Sequence, residues 1–294
     1  MKGIDVSSYQ NVIDWRAAKN DGVEFAILKV IRKDLQPDKM FEKNWSECEK
    51  NGILLQGVYN YSYSTTVEKA NMDALAVLKI LGNRKPMVWL DVEDDCQKGL
   101  GKRLIDIILA YRSKIRGAGL SFGVYTGLSF FNSYLKPYSS ELKGIPFWIA
   151  RYPSSAEITL KSPVNILKKP SIGQTLYGWQ YSSKCKVNGI AGPVDVNEWY
   201  VKKEAKENAE PGKGRYTYEP VKYGDSGTHV QLLQQTLLNR RFKTCVINGK
   251  KKTLVADGKA GIITITILKR YQGYVGLPQT GICDEATWKK LLYN

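Results

Sequence analysis

Histidine is almost absent from this sequence, which has His229 alone among 294 residues, and its five cysteines are widely spaced without a CxxC pair. Catalytic zinc sites and Cys–His nucleophiles both need histidine together with further ligands or a thiolate. We therefore expect no metal and no cofactor, and an amidase or peptidase of either chemistry is disfavoured. An odd number of dispersed cysteines predicts free thiols formed in a reducing compartment.

Long hydrophobic runs are also missing. No stretch approaches the roughly 18–20 apolar residues of a membrane span. The amino-terminal Met1-Lys2 leads directly into a strand-like segment, without the apolar core of a signal peptide. These features predict no membrane partner, and synthesis in the cytoplasm without a signal peptide.

Charge is plentiful and mostly positive, with 44 Lys and Arg against 28 Asp and Glu and a formal net charge of +16. Residues 211–294 hold 14 basic and 5 acidic side chains, so +9 of this excess lies there. A basic surface attracts polyanions such as nucleic acid, anionic membrane or an acidic cell-wall polymer. Paired Cys/His fingers and aromatic RNP runs are absent, so no nucleic-acid partner is expected.

The first two-thirds of the chain alternates strand-like runs with helical patterns. Two of these helical patterns, Asp38–Asn51 and Val67–Leu81, are each followed directly by glycine, the residue that commonly ends a helix. Strand–helix alternation repeated to eight strands predicts an α/β fold, a parallel TIM-like barrel. The eight runs are Lys2–Val6, Glu24–Ile31, Leu54–Tyr61, Met87–Glu93, Ser121–Thr126, Pro146–Tyr152, Leu176–Ser182 and Val194–Trp199.

The hydrophobic pattern is lost over Lys202–Lys213, a charged stretch rich in Lys and Glu. We predict a catalytic domain over 1–203, a linker over 204–217 and a second domain over 218–294. Three amphipathic segments in the second domain predict a small all-α fold without a catalytic cluster.

The fourth strand-like run, Met87–Glu93, ends in the carboxylates Asp91 and Glu93. Alternate side chains of a strand share a face, so these two would point the same way, with Cα atoms roughly 6.5–7 Å apart. Paired carboxylates suit glycoside hydrolysis, in which one donates a proton and the other stabilises a cationic sugar. A solvated acidic turn explains the stretch Met87–Asp94 equally well when it is taken alone.

Further polar residues fall at the carboxyl ends of other predicted strands, where the chemistry of such barrels lies. Asp5 ends the first strand and Asp195 lies in the eighth. Aromatic residues gather at the same ends, where their faces can stack on sugar rings, although each alone is more often part of a core. Lys29, at the end of the second strand, either pairs with a carboxylate of this mouth or extends along the surface.

An ordered set of short segments runs through residues 1–203. They are Gly3–Ser7, Gly57–Tyr61, Asp91–Glu93, Tyr125-Thr126, Trp148–Tyr152, Trp179–Ser182 and Val194–Asn197. Together they resemble the family-25 glycoside hydrolases, the lysozymes that act as N-acetylmuramidases. The resemblance implies an eight-stranded barrel, irregular in its last third, that cleaves the bond between N-acetylmuramic acid and N-acetylglucosamine in bacterial cell walls.

The resemblance also implies roles for individual residues. Glu93 would be the acid/base, and Asp91 would orient the acetamido group of the substrate or stabilise the oxocarbenium-like state. Asp5 and Asp195 would complete the acidic cleft. Retention of configuration, assisted by the substrate's own acetamido group, is implied in the same way. The expected substrate-binding residues are Tyr61, Tyr125, Trp148, Tyr152, Trp179, Gln180 and Asn197.

Two positions depart from the family pattern. Lys29 is followed by Val30–Lys33 in place of a small-residue Glu-Gly turn, and Asn60 stands where histidine is frequent. The first change alters the rim at strand two, and neither change touches the pair Asp91 and Glu93.

The segments Gly224–Leu237, Asp257–Gln272 and Gly276–Trp288 are similar to the three-helix peptidoglycan-binding domain of wall hydrolases. The expected partner is therefore peptidoglycan, with a glycan strand in the barrel cleft and the wall at the C-terminal domain. The whole chain resembles a bacteriophage endolysin, made in the host cytoplasm and acting on the wall after release. A bacterial autolysin of the same activity and a catalytically inactive wall-binding protein remain the alternatives, and the oligomeric state is open.

Overall fold

A closed barrel forms the first domain of the computed structural model, which describes residues 1–201 and 219–293. The predicted linker over 204–217 lies outside the described residues. The barrel strands are β1 (Lys2–Val6), β2 (Phe25–Lys29), β3 (Leu54–Tyr61), β4 (Val88–Asp91), β5 (Phe122–Gly127), β6 (Phe147–Ala150), β8 (Leu176–Lys186) and β9 (Val194–Trp199). A two-residue strand, β7 (Ile158–Thr159), pairs with the far end of β8.

The barrel is mixed, and in this respect the prediction of a parallel barrel is wrong. Strands β1 to β6 are parallel to their neighbours and β6 is parallel to β8, but β9 is antiparallel to both β8 and β1. The turn between β8 and β9 contains no crossover helix, so the chain reverses direction there. The reversal places the first residues of β9, rather than its last, at the rim where the other strands end. Asp195 consequently lies directly opposite Asp5.

Helices cover the outer face of the first part of the barrel. The helix α3 shows why they form where they do: Thr66 Oγ1 accepts from the Lys69 amide at its start, and Gly82, with φ of +60°, follows its end. The helices are α1 (Trp15–Asp21), α2 (Phe41–Lys50), α3 (Val67–Leu81), α4 (Lys102–Gly117) and the short α5 (Leu128–Phe130), which continues as a π-helical turn to Leu135.

The barrel interior below the cleft is filled by aromatic rings. Trp89 packs edge-to-face on Trp148 and on Trp199, with ring centroids 6.0 and 5.4 Å apart. Glycine stands where these rings would meet a side chain: a Cβ atom on Gly123 would overlap the Trp89 ring, and one on Gly178 would overlap Trp199. Large aromatic rings therefore pack directly against glycine backbone within one close-packed layer of the barrel.

The C-terminal domain contains the three predicted helices, α6 (Thr228–Asn239), α7 (Ile262–Tyr274) and α8 (Glu285–Tyr293). Asp284 caps α8, since its Oδ1 accepts from the Thr287 amide at 2.8 Å. A two-stranded hairpin that the sequence analysis did not predict lies between α6 and α7. Its strands are β10 (Thr244–Ile247) and β11 (Lys250–Thr253).

The two domains are docked on each other through α3 and the connection between β2 and α2. Lys79 of α3 is 1% exposed, and its Nζ lies 3.8 Å from the centroid of the Trp288 ring. Arg240 donates to Gln36 Oε1 at 2.7 Å, and Asn239 donates to the Asp34 carbonyl at 2.6 Å. Burial lowers the pKa of Lys79 to about 8.

No helix within 1–201 or 219–293 combines the length and the apolar character needed to cross a membrane.

Candidate active site

One face of each barrel strand supplies the cleft, as the two-residue period of a strand requires. In β4 the interior residues are Trp89 and then Asp91, and in β5 Tyr125 lies beside Asp91. In β1 and β9 the facing residues at the rim are Asp5 and Asp195. Carboxylates from the first, fourth and last strands therefore meet at one end of the barrel.

Asp91 and Glu93 line the same deep cavity. Asp91 is the last residue of β4 and is 4% exposed. Burial, then the charges of Glu93 and Asp5, raise its pKa well above the usual value, and Lys29 acts in the opposite direction. Asp91 Oδ1 is buried without a hydrogen-bond partner among the described residues. A buried, unpaired carboxyl oxygen is costly, and it is available to a ligand that enters the cavity.

Glu93 follows β4 by two residues and is half-buried. Burial raises its pKa, against a hydrogen bond from the Gly127 backbone and together with the charge of Asp5. A carboxyl group that keeps its proton toward neutral pH can act as a general acid.

Asp5 and Asp195 form the other side of the acidic cleft. Burial raises the pKa of Asp5, and hydrogen bonds from Asn197 and Gln180 act against this shift. Burial and then the charges of Asp5 and Glu93 raise the pKa of Asp195. Carboxyl groups at close range cannot all ionise, because their negative charges would repel. The cleft therefore holds protons that isolated carboxyls would have lost.

Gln180 and Asn197 contact Asp5. Gln180 Nε2 donates to Asp5 Oδ2 at 2.9 Å, and Asn197 Nδ2 donates to the same oxygen at 2.7 Å. Gln180 is 2% exposed and lines the cavity, whereas Asn197 is fully buried. The structure thus places Asn197 behind Asp5 and not on the cleft surface where a substrate-binding residue was expected.

Four of the predicted aromatic residues line the cleft, each with a defined partner. The Tyr61 hydroxyl donates to Asp94 Oδ2 at 3.1 Å, a partner that the sequence did not predict. Trp148 is 1% exposed and packs on Tyr125, with ring centroids 4.3 Å apart. Tyr152 is 46% exposed and is the most open of the four.

Trp179 does not line the cleft, which corrects the prediction. It neighbours Gln180 in β8, so strand alternation turns it to the opposite face of the sheet. There it is fully buried among the residues between barrel and helices, and its Nε1 donates to the Arg151 carbonyl at 2.7 Å.

Lys29 faces the cavity and does not extend along the surface, which decides between its two interpretations. Its Nζ lies 5.8 Å from the centroid of the Tyr61 ring, and its charge acts on Asp91. A cation here offsets part of the repulsion among the carboxyls.

The cleft has two lobes. The deep lobe, of about 220 Å³, is lined by the four carboxyls and Lys29, and the open lobe, of about 720 Å³, is lined by Leu128, Asn132 and Arg151. Glu93, Tyr125 and Tyr152 belong to both lobes. A proton donor at the junction of two lobes can act on a bond that joins a group in one lobe to a group in the other.

No group of three or more His, Cys, Asp or Glu within the part of the chain that the structure describes is arranged to hold a metal ion.

The mixed α/β barrel, the carboxyls with raised pKa values and the aromatic lining together define a glycoside hydrolase. Residues 4–190 match the family model of glycosyl hydrolases family 25, and residues 226–291 match that of a peptidoglycan binding domain. The chain therefore belongs to glycosyl hydrolase family 25, as a lysozyme-type enzyme with an attached peptidoglycan-binding domain.

Curated relatives agree with this assignment. The chain is 29% identical over 282 residues to an autolytic lysozyme of Clostridium acetobutylicum, covering 94% of this chain and 74% of that protein. It is 26% identical over 212 residues to lysozyme M1 of Streptomyces globisporus, covering 68% of this chain and 67% of the relative.

Solved structures show the same fold. A bacterial lysozyme from Streptomyces coelicolor is 25% identical with a TM-score of 0.52, over 69% of this chain and 93% of that one. The modular autolysin LytC of Streptococcus pneumoniae, in complex with a synthetic peptidoglycan ligand, is 26% identical with a TM-score of 0.56. That match covers 68% of this chain and 46% of the autolysin.

Proposed function

We propose that the enzyme is a 1,4-β-N-acetylmuramidase that cleaves the glycan strand of bacterial peptidoglycan between N-acetylmuramic acid and N-acetylglucosamine. The observation that carries the proposal is Glu93, a half-buried carboxyl with a raised pKa at the junction of the two lobes. Glu93 protonates the leaving oxygen while Asp91, whose Oδ1 has no hydrogen-bond partner among the described residues, orients the acetamido group of the sugar in the deep lobe. Asp5 supplies negative potential for the cationic sugar, and Asp195 faces it across the cleft.

Mass spectrometry of purified peptidoglycan after digestion tests the bond that is cut, with and without borohydride reduction of the products. Reducible muramic-acid ends support the proposal. Reducible glucosamine ends would keep a glycosidase but overturn the bond assignment, and freed stem peptides would overturn the reaction class. Products with retained anomeric configuration, followed by NMR during hydrolysis, would support the retaining outcome, and inverted products would overturn it.

Glu93→Gln should reduce hydrolysis by about a thousandfold, since a general acid commonly contributes 10²–10⁴-fold. Binding to walls should persist because the C-terminal domain is unchanged. The matched control is Asp95→Asn, which neutralises an exposed carboxyl two residues away. Release of reducing sugar at a normal rate by the Glu93 variant would contradict its role as the acid.

We further propose that the enzyme acts as an endolysin, made in the host cytoplasm and reaching the wall after release. Five free thiols, four of them buried, are compatible with folding in a reducing compartment. The autolysin role is the second candidate, favoured by the match to an autolytic lysozyme across both domains. Expression in a bacterium with a susceptible wall separates them: lysis only after the membrane is permeabilised supports an endolysin, and spontaneous lysis supports an autolysin.

A further inference from the structure

Four carboxyl groups share the deep lobe of the cleft with a single lysine from the residues that line it. Repulsion prevents them from all being ionised at neutral pH. Which of them is ionised determines which can donate a proton and which can stabilise a cation. The hydrogen bonds that Asp5 accepts indicate the ionisation state of this one carboxyl.

The orientation of the Asn197 amide is fixed by a tryptophan. Trp148 Nε1 lies 2.7 Å from Asn197 Oδ1, and an indole N–H can only donate. Asn197 must therefore present its oxygen to Trp148 and its NH₂ group to Asp5 Oδ2, at 2.7 Å. All of these atoms are in buried residues, where a wrongly turned amide would leave two unpaired groups.

Two tyrosines likewise fix the orientation of the Gln180 amide. Its Oε1 accepts from the Tyr125 hydroxyl at 2.9 Å and from the Tyr152 hydroxyl at 2.6 Å. Its Nε2 donates to Asp5 Oδ2 at 2.9 Å. The reverse orientation would bring the amide oxygen against a carboxylate oxygen, two acceptors face to face. Asp5 Oδ2 thus receives two amide N–H bonds, an arrangement that favours an ionised carboxylate.

We propose that Gln180 and Asn197 are positioning residues that hold Asp5 as the ionised carboxylate of the cleft, so that the shared protons reside on Asp91, Glu93 and Asp195. The proposal rests on the proposed hydrolysis for its consequence, since an ionised Asp5 stabilises the cationic sugar. This role of Gln180 and Asn197 differs from substrate binding because the NH₂ groups of both amides already donate to Asp5. Tyr152, at the surface of the cleft, is the outer end of this hydrogen-bonded chain.

The titration of Asp5 depends on every charged or titratable group that lines the lobe with it. From β2 this is Lys29, from β3 Tyr59 and Tyr61, and from β4 Asp91 with the following Glu93. Tyr125 faces it from β5, Tyr152 from the segment after β6, and Asp195 from β9.

The test is Gln180→Met, which keeps the side-chain length and removes the donor to Asp5. The carboxyl ¹³C resonance of Asp5, identified by its loss in Asp5→Asn, should titrate about one pH unit higher in the Gln180 variant. The acidic limb of the pH profile of kcat/KM should move to higher pH by the same amount, and KM should be nearly unchanged at the pH optimum. Gln180→Leu, which also removes the donor without adding a charge, should shift the titration in the same direction, should the methionine variant fold poorly.

The matched control is Gln97→Met, a fully buried amide of the same barrel that bonds Ser62 and the Ser64 carbonyl and, within the described part of the chain, no carboxylate. It should leave the Asp5 titration and the pH profile in place even if the melting temperature falls. An unmoved Asp5 titration in the Gln180 variant would overturn the proposal. A raised KM with an unmoved acidic limb would also overturn it and make Gln180 a substrate contact. The NMR titration needs no substrate, so a wild-type protein without muramidase activity would refute the proposed function separately.

Discussion

At the scale of single residues, the two-residue period of a strand predicts a large part of the cleft. It pairs Asp91 with Glu93, and the structure places both on the deep lobe. It could have separated Gln180 from Trp179 as well, because neighbours in a strand face opposite sides. The partners of Asp5 were beyond prediction, since the contact of Asn197 with Asp5 joins residues 192 positions apart.

Asp73, a carboxyl in α3 outside the cleft, should make stability depend on pH. Burial raises its pKa to about 6, against hydrogen bonds with Ser64 and Asn60. The unfolded chain releases this proton near pH 4. Between about pH 4 and 6 the folded protein therefore binds more protons, and its stability falls as the pH rises through that window.

Asp73→Asn should flatten this part of the pH dependence. Urea unfolding at pH 4.5 and 6.5 measures it, with Asp106→Asn, an exposed carboxyl on α4, as the control that should keep the slope. An identical slope in wild type and the Asp73 variant would show that another group sets it.

At the scale of elements, the sequence predicted the barrel strands and the helices α2 and α3 to within a few residues, because glycine stops and apolar periods are local signals. The six residues of β9 do not show its direction, but the short connection from β8, which contains no crossover helix, is a sequence signal for the antiparallel pairing. The hairpin β10–β11 was missed because three consecutive lysines on β11 have low strand propensity.

Gly123→Ala tests the packing of glycine against tryptophan inside the barrel. The added methyl group would overlap the Trp89 ring, which is fully buried and packed between other aromatic rings. Overpacking of this kind costs about 1–3 kcal/mol or more. Chemical denaturation measures the loss. Gly117→Ala, where a Cβ atom meets nothing within 4 Å, is the control and should be neutral or stabilising.

At the scale of the whole molecule, the docked domains imply that the wall-binding domain holds a defined position relative to the cleft. Lys79→Glu should undo this docking, because a carboxylate would replace the cation buried against the Trp288 ring. An uncompensated buried charge costs about 3 kcal/mol or more. Small-angle scattering should show a larger radius of gyration, whereas Lys114→Glu, at an exposed position on α4, should leave it unchanged. A compact Lys79 variant would refute the role of this contact.

The basic hairpin should contribute to binding of anionic walls. Lys250, Lys251 and Lys252 are exposed in succession on β11. Replacing all three by serine should weaken sedimentation with walls at low salt and flatten its salt dependence, since exposed charges are screened beyond about 8 Å at physiological salt. The control replaces three exposed lysines of the barrel: Lys161, Lys168 and Lys184. Equal losses in both triple variants would indicate a general effect of net charge.

The closure of the barrel by β9 has a consequence for the order of events during protein synthesis. Asp5 leaves the ribosome first, but its partners Gln180 and Asn197 and the facing Asp195 lie on the last two strands. Nascent chains emerge from the amino terminus, at about 5–20 residues per second. The cleft is therefore incomplete until almost the entire barrel has been translated, so a truncated or half-made chain of this wall-degrading enzyme would lack the assembled carboxylates.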